Sequence, residues 1–233
     1  MLPAICVAQT FQETVTPAEL ALAPPYCPYT QSYSAHFNPG DFRQKKEYWT
    51  QVLGDDLNHL HHYCDAIIRR ARADGHSLSP FERGSQLGQV VYEIDYVLRN
   101  TVPNFVLRPE FYTKKGEALM KLRRHKEAVE AYRRGAQARA DYWPAYSGLA
   151  ELLRANGNLD DARGVVEEGL RYSPTSKTLN TLLAELKKSG AKSPPPKPTE
   201  SQNTEQPPNP EPAPQGDPGP QESPKAQDAS PTK

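Results

Sequence analysis

Between residues 41 and 188 apolar positions recur at three- and four-residue intervals, and no run alternates apolar and polar residues over the length of a strand. The pattern predicts helices and essentially no sheet. A first helix is expected from Phe42 to Leu53, capped by Asp41 and stopped at Gly54. A second, Asp55 to Ala73, puts Leu57, Leu60, His61, Cys64, Ile67, Ile68 and Ala71 on one face and leaves Arg69, Arg70 and Arg72 largely off it. Ser79, Pro80 and Glu82 supply a cap, a first-turn proline and the reciprocal acid of a capping box. The helix they start reaches Asn100 with a stripe of Leu87, Val90, Val91, Ile94, Val97 and Leu98, which predicts an antiparallel hairpin with the preceding helix. Val102-Pro103-Asn104 then breaks the chain.

Beyond that break the sequence matches itself at an offset of 34 residues. Tyr112 falls over Tyr146, Gly116 over Ala150, Leu119 over Leu153, Ala128 over Ala162 and Gly135 over Gly169. A period of this length marks a helix-turn-helix repeat that buries its apolar face by stacking on its neighbours. Gly116 and Ala150 are expected where the second helix of each unit crosses closely, with Ala128 and Ala162 as small counterparts. Tyr112 and Tyr146 should fill the groove beside them, and Tyr132 and Val166 should bury against the following unit.

At these residues the stretch resembles the tetratricopeptide repeat family. A unit starting at Pro109 supplies Tyr112, Gly116, Leu119, Ala128 and Tyr132; one starting at Trp143 supplies Tyr146, Leu149, Ala150, Leu153, Ala162 and Pro174. Lys115 stands where the family usually has Leu, Gly135 and Gly169 where it has Ala, and Ala140 where it has Pro. A third unit begins near Lys177, offers Leu179, Leu182, Leu183 and Leu186, and ends with polar residues suited to a cap. Two repeats and a cap are few, so the preceding helical hairpin is expected to substitute for a missing unit. The resemblance implies an all-α short solenoid of αα-hairpins. The segment His59-Leu60-His61-His62-Tyr63-Cys64 before the repeats is similar to that of bacterial exported repeat proteins of unassigned role.

The ends of the chain differ in kind from the middle. Residues 1–40 are rich in Pro, Thr and Ser, carry Tyr26, Tyr29, Tyr33 and Phe37, and read as an extended segment packed on the domain and closed by the turn Asn38-Pro39-Gly40. Met1 to Gln9 looks like the last part of a secretory signal with Ala8 near a cleavage position, although a basic start and a full apolar stretch are missing. From 189 to 233 there are 13 of the 24 prolines and no Trp, Tyr, Phe, Leu, Ile or Val. A segment with nothing to bury cannot offset its ordering entropy, so a disordered tether or spacer is expected there. The organisation is therefore 1–40, 41–108 for the helical hairpin region, 109–188 for the repeats and 189–233 for the tail.

Charge excludes more than it suggests. The 28 basic and 28 acidic residues cancel, which gives the whole molecule no electrostatic case for nucleic acid or anionic membrane. Ten basic residues face four acidic ones between Arg108 and Arg139; Arg123, Arg124, Arg133 and Arg134 would carry an RNA-binding alternative. No apolar run is long enough to span a bilayer.

Candidate chemistry is sparse. Asp55, His59 and His62 would share a helical face that could hold a metal, while His36, His76 and His125 are isolated. No phosphate loop, nucleophile elbow or Cys-x-x-Cys pair is present, so no catalytic residue and no cofactor is expected. Cys64 faces the core of the hairpin and Cys27 lies in a proline-rich segment that something must pin down; a disulfide between them would do so in an oxidising, periplasmic or otherwise exported setting. The cytoplasmic alternative leaves one buried and one exposed thiol.

The function implied by the resemblance is a non-catalytic scaffold or adaptor that binds another protein, as a peptide or helix, in the groove lined by first helices. Here these residues are Thr113, Glu117, Met120, Lys121, Ser147, Glu151 and Arg154. They mix signs and lack the paired Lys and Asn with which some relatives clamp a terminal carboxylate. The alternative is a metal-binding protein using Asp55, His59 and His62.

Overall fold

The computed structural model describes residues 10–190, all of whose regular structure is helical. The N-terminal residues are not extended as the sequence suggested. They fold into 3-10 turns at Gln12–Thr14 and Cys27–Tyr29 and two short helices, α1 (Pro17–Leu20) and α2 (Gln31–Phe37). Thr16 and Glu19 close α1 in a reciprocal capping box, and Asn38 ends α2 in the left-handed conformation that a small amide tolerates. Helix α3 (Phe42–Leu53) follows with the expected bounds. Asp41 precedes it but makes no cap bond; its carboxylate accepts the Tyr29 hydroxyl instead.

The second helix starts later than periodicity predicts. Residues Gly54–His59 form a 3-10 segment, and α4 covers Leu60–Asp74. The capping box at Ser79 and Glu82 starts α5 (Pro80–Asn100) as read from the sequence. The two helices pair antiparallel: His62 meets Glu93 near one end and Arg69 meets Gln86 toward the other.

The repeats follow as α6 (Arg108–Lys121), α7 (His125–Ala138), α8 (Trp143–Ala155), α9 (Leu159–Tyr172) and α10 (Lys177–Gly190). Ser189 and Gly190, expected in the tail, are the last residues of α10. The rest of that tail and the signal-like Met1 to Gln9 lie outside the described residues. Small residues set the crossings: a Cβ on Gly116 would sit 2.8 Å from the Tyr132 ring, and Ala128, Ala150 and Ala162 are fully buried. Tyr132 buries against the next unit, and Val166 against Leu179, Leu182 and Leu186 of α10. Tyr146 packs against Gly169 as expected. Tyr112 does not fill the equivalent groove. It is half-exposed on α6, and its neighbour Phe111 is the fully buried aromatic, tilted against the Tyr63 ring with centroids 4.6 Å apart.

The turns between paired helices repeat as well. The Arg124 amide donates to Leu119 and the Asn158 amide to Leu153, each at 2.9 Å, which is the closing bond of a Schellman motif. Gly157 holds the left-handed position in one turn and Arg123 in the other.

Helices α4, α6, α8 and α10 form an inner row, and α5, α7 and α9 an outer one. Tyr63, Arg70 and Asp74 leave α4 toward α6. The N-terminal segment covers the opposite side of α4. The Asp65 carboxylate accepts the Tyr33 hydroxyl at 2.7 Å and the Gln12 amide at 2.6 Å, Arg72 forks onto Glu19, and the Arg69 guanidinium lies 3.7 Å from the centre of the Phe11 ring. Cys27 and Cys64 are fully buried in this interface, with Cα atoms 5.8 Å apart and sulfurs within bonding distance.

Candidate functional site

The inner row presents one continuous face, and helical geometry decides which predicted residues reach it. Positions 110, 114, 117 and 121 recur at three- and four-residue spacing on one side of α6. Glu117 and Lys121 are there. Thr113 is not: it is buried at the crossing with α7, donating its hydroxyl to the Pro109 carbonyl at 2.9 Å. Met120 is half-buried, and its sulfur accepts the Tyr132 hydroxyl at 3.4 Å. Both belong to packing rather than to the groove. Ser147, Glu151 and Arg154 of α8 remain partly exposed.

The groove residues are tied to each other across unit boundaries. Arg154 forks onto Glu151 at 2.6 and 2.9 Å and reaches Glu185 of α10 at 3.2 Å. Lys121 meets Asp74 of α4 at 2.9 Å, while Arg70 contacts Asp74 at 3.0 Å and Glu117 at 3.5 Å. Lys114 adds a further contact to Glu117 at 3.1 Å. Asp74 is held below the usual carboxylate range by its bonds from Lys121 and Arg70, against a burial effect of the opposite sign. Exposed ion pairs of this kind contribute about 0 to 1 kcal/mol each. An incoming chain can therefore exchange them for its own charges at little cost.

Toward the start of the inner helices the buried Tyr63 lies beneath the face and the half-buried Tyr142 reaches it. The Tyr63 hydroxyl donates to Glu110 at 2.6 Å, and burial together with Glu110 pushes the half-buried Tyr142 up to about 12. Glu110 pairs with no cation among the described residues. Between α8 and α10 the groove deepens to a cavity of about 380 Å³ bordered by Ser147, Glu151, Lys177, Thr181, Leu182 and Glu185.

Sequence reasoning missed Arg70, Asp74, Glu110 and Glu185. Glu185 was legible, because Glu117, Glu151 and Glu185 follow one another at the 34-residue period. Arg70 and Asp74 sit on the hairpin, which does not share that period, and nothing in the sequence points to them.

The alternative metal residues are not brought together. Asp55 is exposed on the 3-10 segment, the His59 ring lies 6.1 Å from Tyr96, and His62 bonds Glu93 through Nδ1 at 2.6 Å while its ring lies tilted against Tyr96. The change from 3-10 to α geometry at Leu60 breaks the shared face that a continuous helix would have given. Among the described residues no three His, Cys, Asp or Glu side chains are grouped to hold a metal. His61 is half-buried and lowered from the ordinary imidazole range, first by burial. No described helix is long and apolar enough to cross a membrane.

Residues 119–186 match the tetratricopeptide repeat family. Solved structures with some similarity to the chain include the second TPR domain of the human RPAP3 protein, determined by NMR in complex with an HSP70 peptide. It is 17% identical, with 54% of this chain and 98% of that one covered, at a TM-score of 0.39. No curated protein sequence matches the chain. The matched segment takes in the last residues of α6, the whole of α7 to α9 and most of α10, and this part of the chain is similar to tetratricopeptide repeats.

Proposed function

We infer that the module is a non-catalytic interaction scaffold that holds a peptide or helix of another protein along its inner face. The observation that carries this reading is the set of exchangeable ion pairs, with Glu117, Glu151 and Glu185 repeating at one position, Arg70 joining Glu117 to Asp74, Lys121 on Asp74, and Arg154 joining Glu151 to Glu185. A partner of mixed polar and apolar character fits it, with its apolar side chains toward Tyr142. The setting proposed is the bacterial envelope. The burial of Cys27 beside Cys64 supports a disulfide that an oxidising compartment would preserve, and the proline-rich residues beyond the module would serve as a tether.

Charge reversal at Lys121 and Arg154 together tests the site. A cross-linking pull-down from the native organism should lose its main partner with this variant. Unchanged capture would move the site off the inner face. For the compartment, thiol counting under denaturing, non-reducing conditions should find Cys27 and Cys64 blocked; free thiol at both would argue against export.

A further inference from the structure

A cavity of about 630 Å³ opens on the outer face between α5 and α7, away from the groove. Its floor is the side of α6 opposite Glu117, where Tyr112 and Lys115 emerge, with Leu98 and Ala131 as apolar walls. This is why Tyr112 escapes burial.

The charges around this cleft do not cancel. Each of its three carboxylates already holds a cation: Asp95 has Lys115 at 2.6 Å, Glu130 has Arg134 at 2.7 Å, and Glu127 has Arg124 at 2.6 Å. Three further cations have no carboxylate among the described residues. Arg99 and Lys126 are exposed at the rim. Arg108 spends its guanidinium on the Leu98 and Thr101 carbonyls, at 3.0 and 3.2 Å, and on the Tyr112 hydroxyl, at 3.3 Å. Those carbonyls belong to the C-terminal end of α5, whose dipole balances Arg108 only in part.

We propose that this outer cleft is a second binding site, for a short acidic peptide segment with two or three carboxylates. Size and shape argue for a peptide over a compact anion. Lys126 and Arg134 lie eight residues apart on α7, so they mark a length of about 12 Å, which is three or four extended residues. Arg99 and Lys126 would take carboxylates at the rim, with Arg108 and Tyr112 at the floor. The site is independent of the inner face, so its test does not depend on what binds there.

The probe is acetylated triglutamate, titrated into the isotope-labelled full chain at low salt and followed by amide chemical shifts. Saturable shifts should cluster at residues 95–99, 108–115 and 126–134, and affinity should fall about fivefold or more between 0.02 and 0.15 M salt, as screening shortens the reach of the rim charges. The double variant Arg99→Gln, Lys126→Gln changes only exposed side chains and should weaken binding about tenfold, the loss of roughly 1.4 kcal/mol. Charge reversal at Lys121 and Arg154 should leave it unchanged. Absence of saturable shifts, equal affinity in the double variant, or shifts on the inner face would each overturn the proposal. So would pyrophosphate reproducing the shifts while triglutamate gives none, since the occupant would then be a phosphate.

Discussion

The ring of Tyr132 rests on the backbone of Gly148, across the boundary between two units. The same edge of the ring lies against Gly116 as well, so the ring is held between two glycines. A methyl group at residue 148 would enter the ring's van der Waals envelope. Gly148→Ala should cost about 1 to 3 kcal/mol despite its gain in helix propensity. Urea unfolding measures this, and Tyr132→Leu in the same chain should recover part of the loss. A neutral Gly148→Ala would mean that the two units are not locked at this contact.

Arg123 and Gly157 offer a matched comparison, because they occupy the same left-handed position in successive turns. A side chain there costs about 1 to 2 kcal/mol. Arg123→Gly should therefore stabilise by several tenths to about 1 kcal/mol, once the greater freedom of glycine in the unfolded chain is deducted. Gly157→Arg should destabilise by a similar amount. Thermal unfolding of both variants checks the opposed signs.

Asp65 gives the contact between the N-terminal segment and α4 a pH dependence. Burial raises its carboxyl to about 6, against the lowering effect of bonds from Tyr33 and Gln12, while Glu93 adds to the rise. The folded chain thus holds a proton that the unfolded chain has released, in the window between about pH 4 and 6. Stability from this group increases as pH falls through 6, and below about 4 both states are protonated and the gain is complete. Across that window the gain amounts to roughly 3 kcal/mol at most. Asp65→Asn should remove this slope, so the stability of the variant relative to the parent should fall, by up to roughly 3 kcal/mol, from pH 7 to pH 4. A difference independent of pH would show that Asp65 titrates as it does in water.

Oxidation of Cys27 and Cys64 closes a loop of 37 residues, which restricts the unfolded chain by roughly 3 to 4 kcal/mol. Cys27→Ser with Cys64→Ser should lower stability by about this much relative to the oxidised protein. The amides most affected in hydrogen exchange should be those of α1 and α2, since their remaining ties to α4 are few. If reducing the native protein leaves its unfolding midpoint unchanged, the two thiols are unlinked.

The helical parts of the fold were legible where one local rule decided them. The capping box at Ser79 fixed the start of α5, and the 34-residue period placed the crossings at Gly116, Ala128 and Ala162. Legibility failed where the decision was tertiary. Thr113 looks like a groove residue by its position in the repeat, yet its hydroxyl can satisfy itself on the Pro109 carbonyl and the residue is buried. Tyr112 looks like a buried aromatic, but α5 is not a true repeat helix and leaves a cleft above it. The 3-10 stretch before α4 keeps an apolar spacing close to that of a helix, so periodicity alone ran the two together.

The placement of the N-terminal segment on α4 also bears on how such a chain can lengthen over evolution. The interface between α6–α7 and α8–α9 and the interface between α8–α9 and α10 are of one kind, with Tyr132 and Val166 at equivalent positions, so a duplicated 34-residue unit could be spliced among them and find partners on both sides. Ahead of α4 there is no equivalent seat, because Tyr33, Gln12 and Cys27 already occupy the surface on which an earlier unit would stack. Growth of the array is thereby directed inward or toward α10, and the groove would extend from one end only.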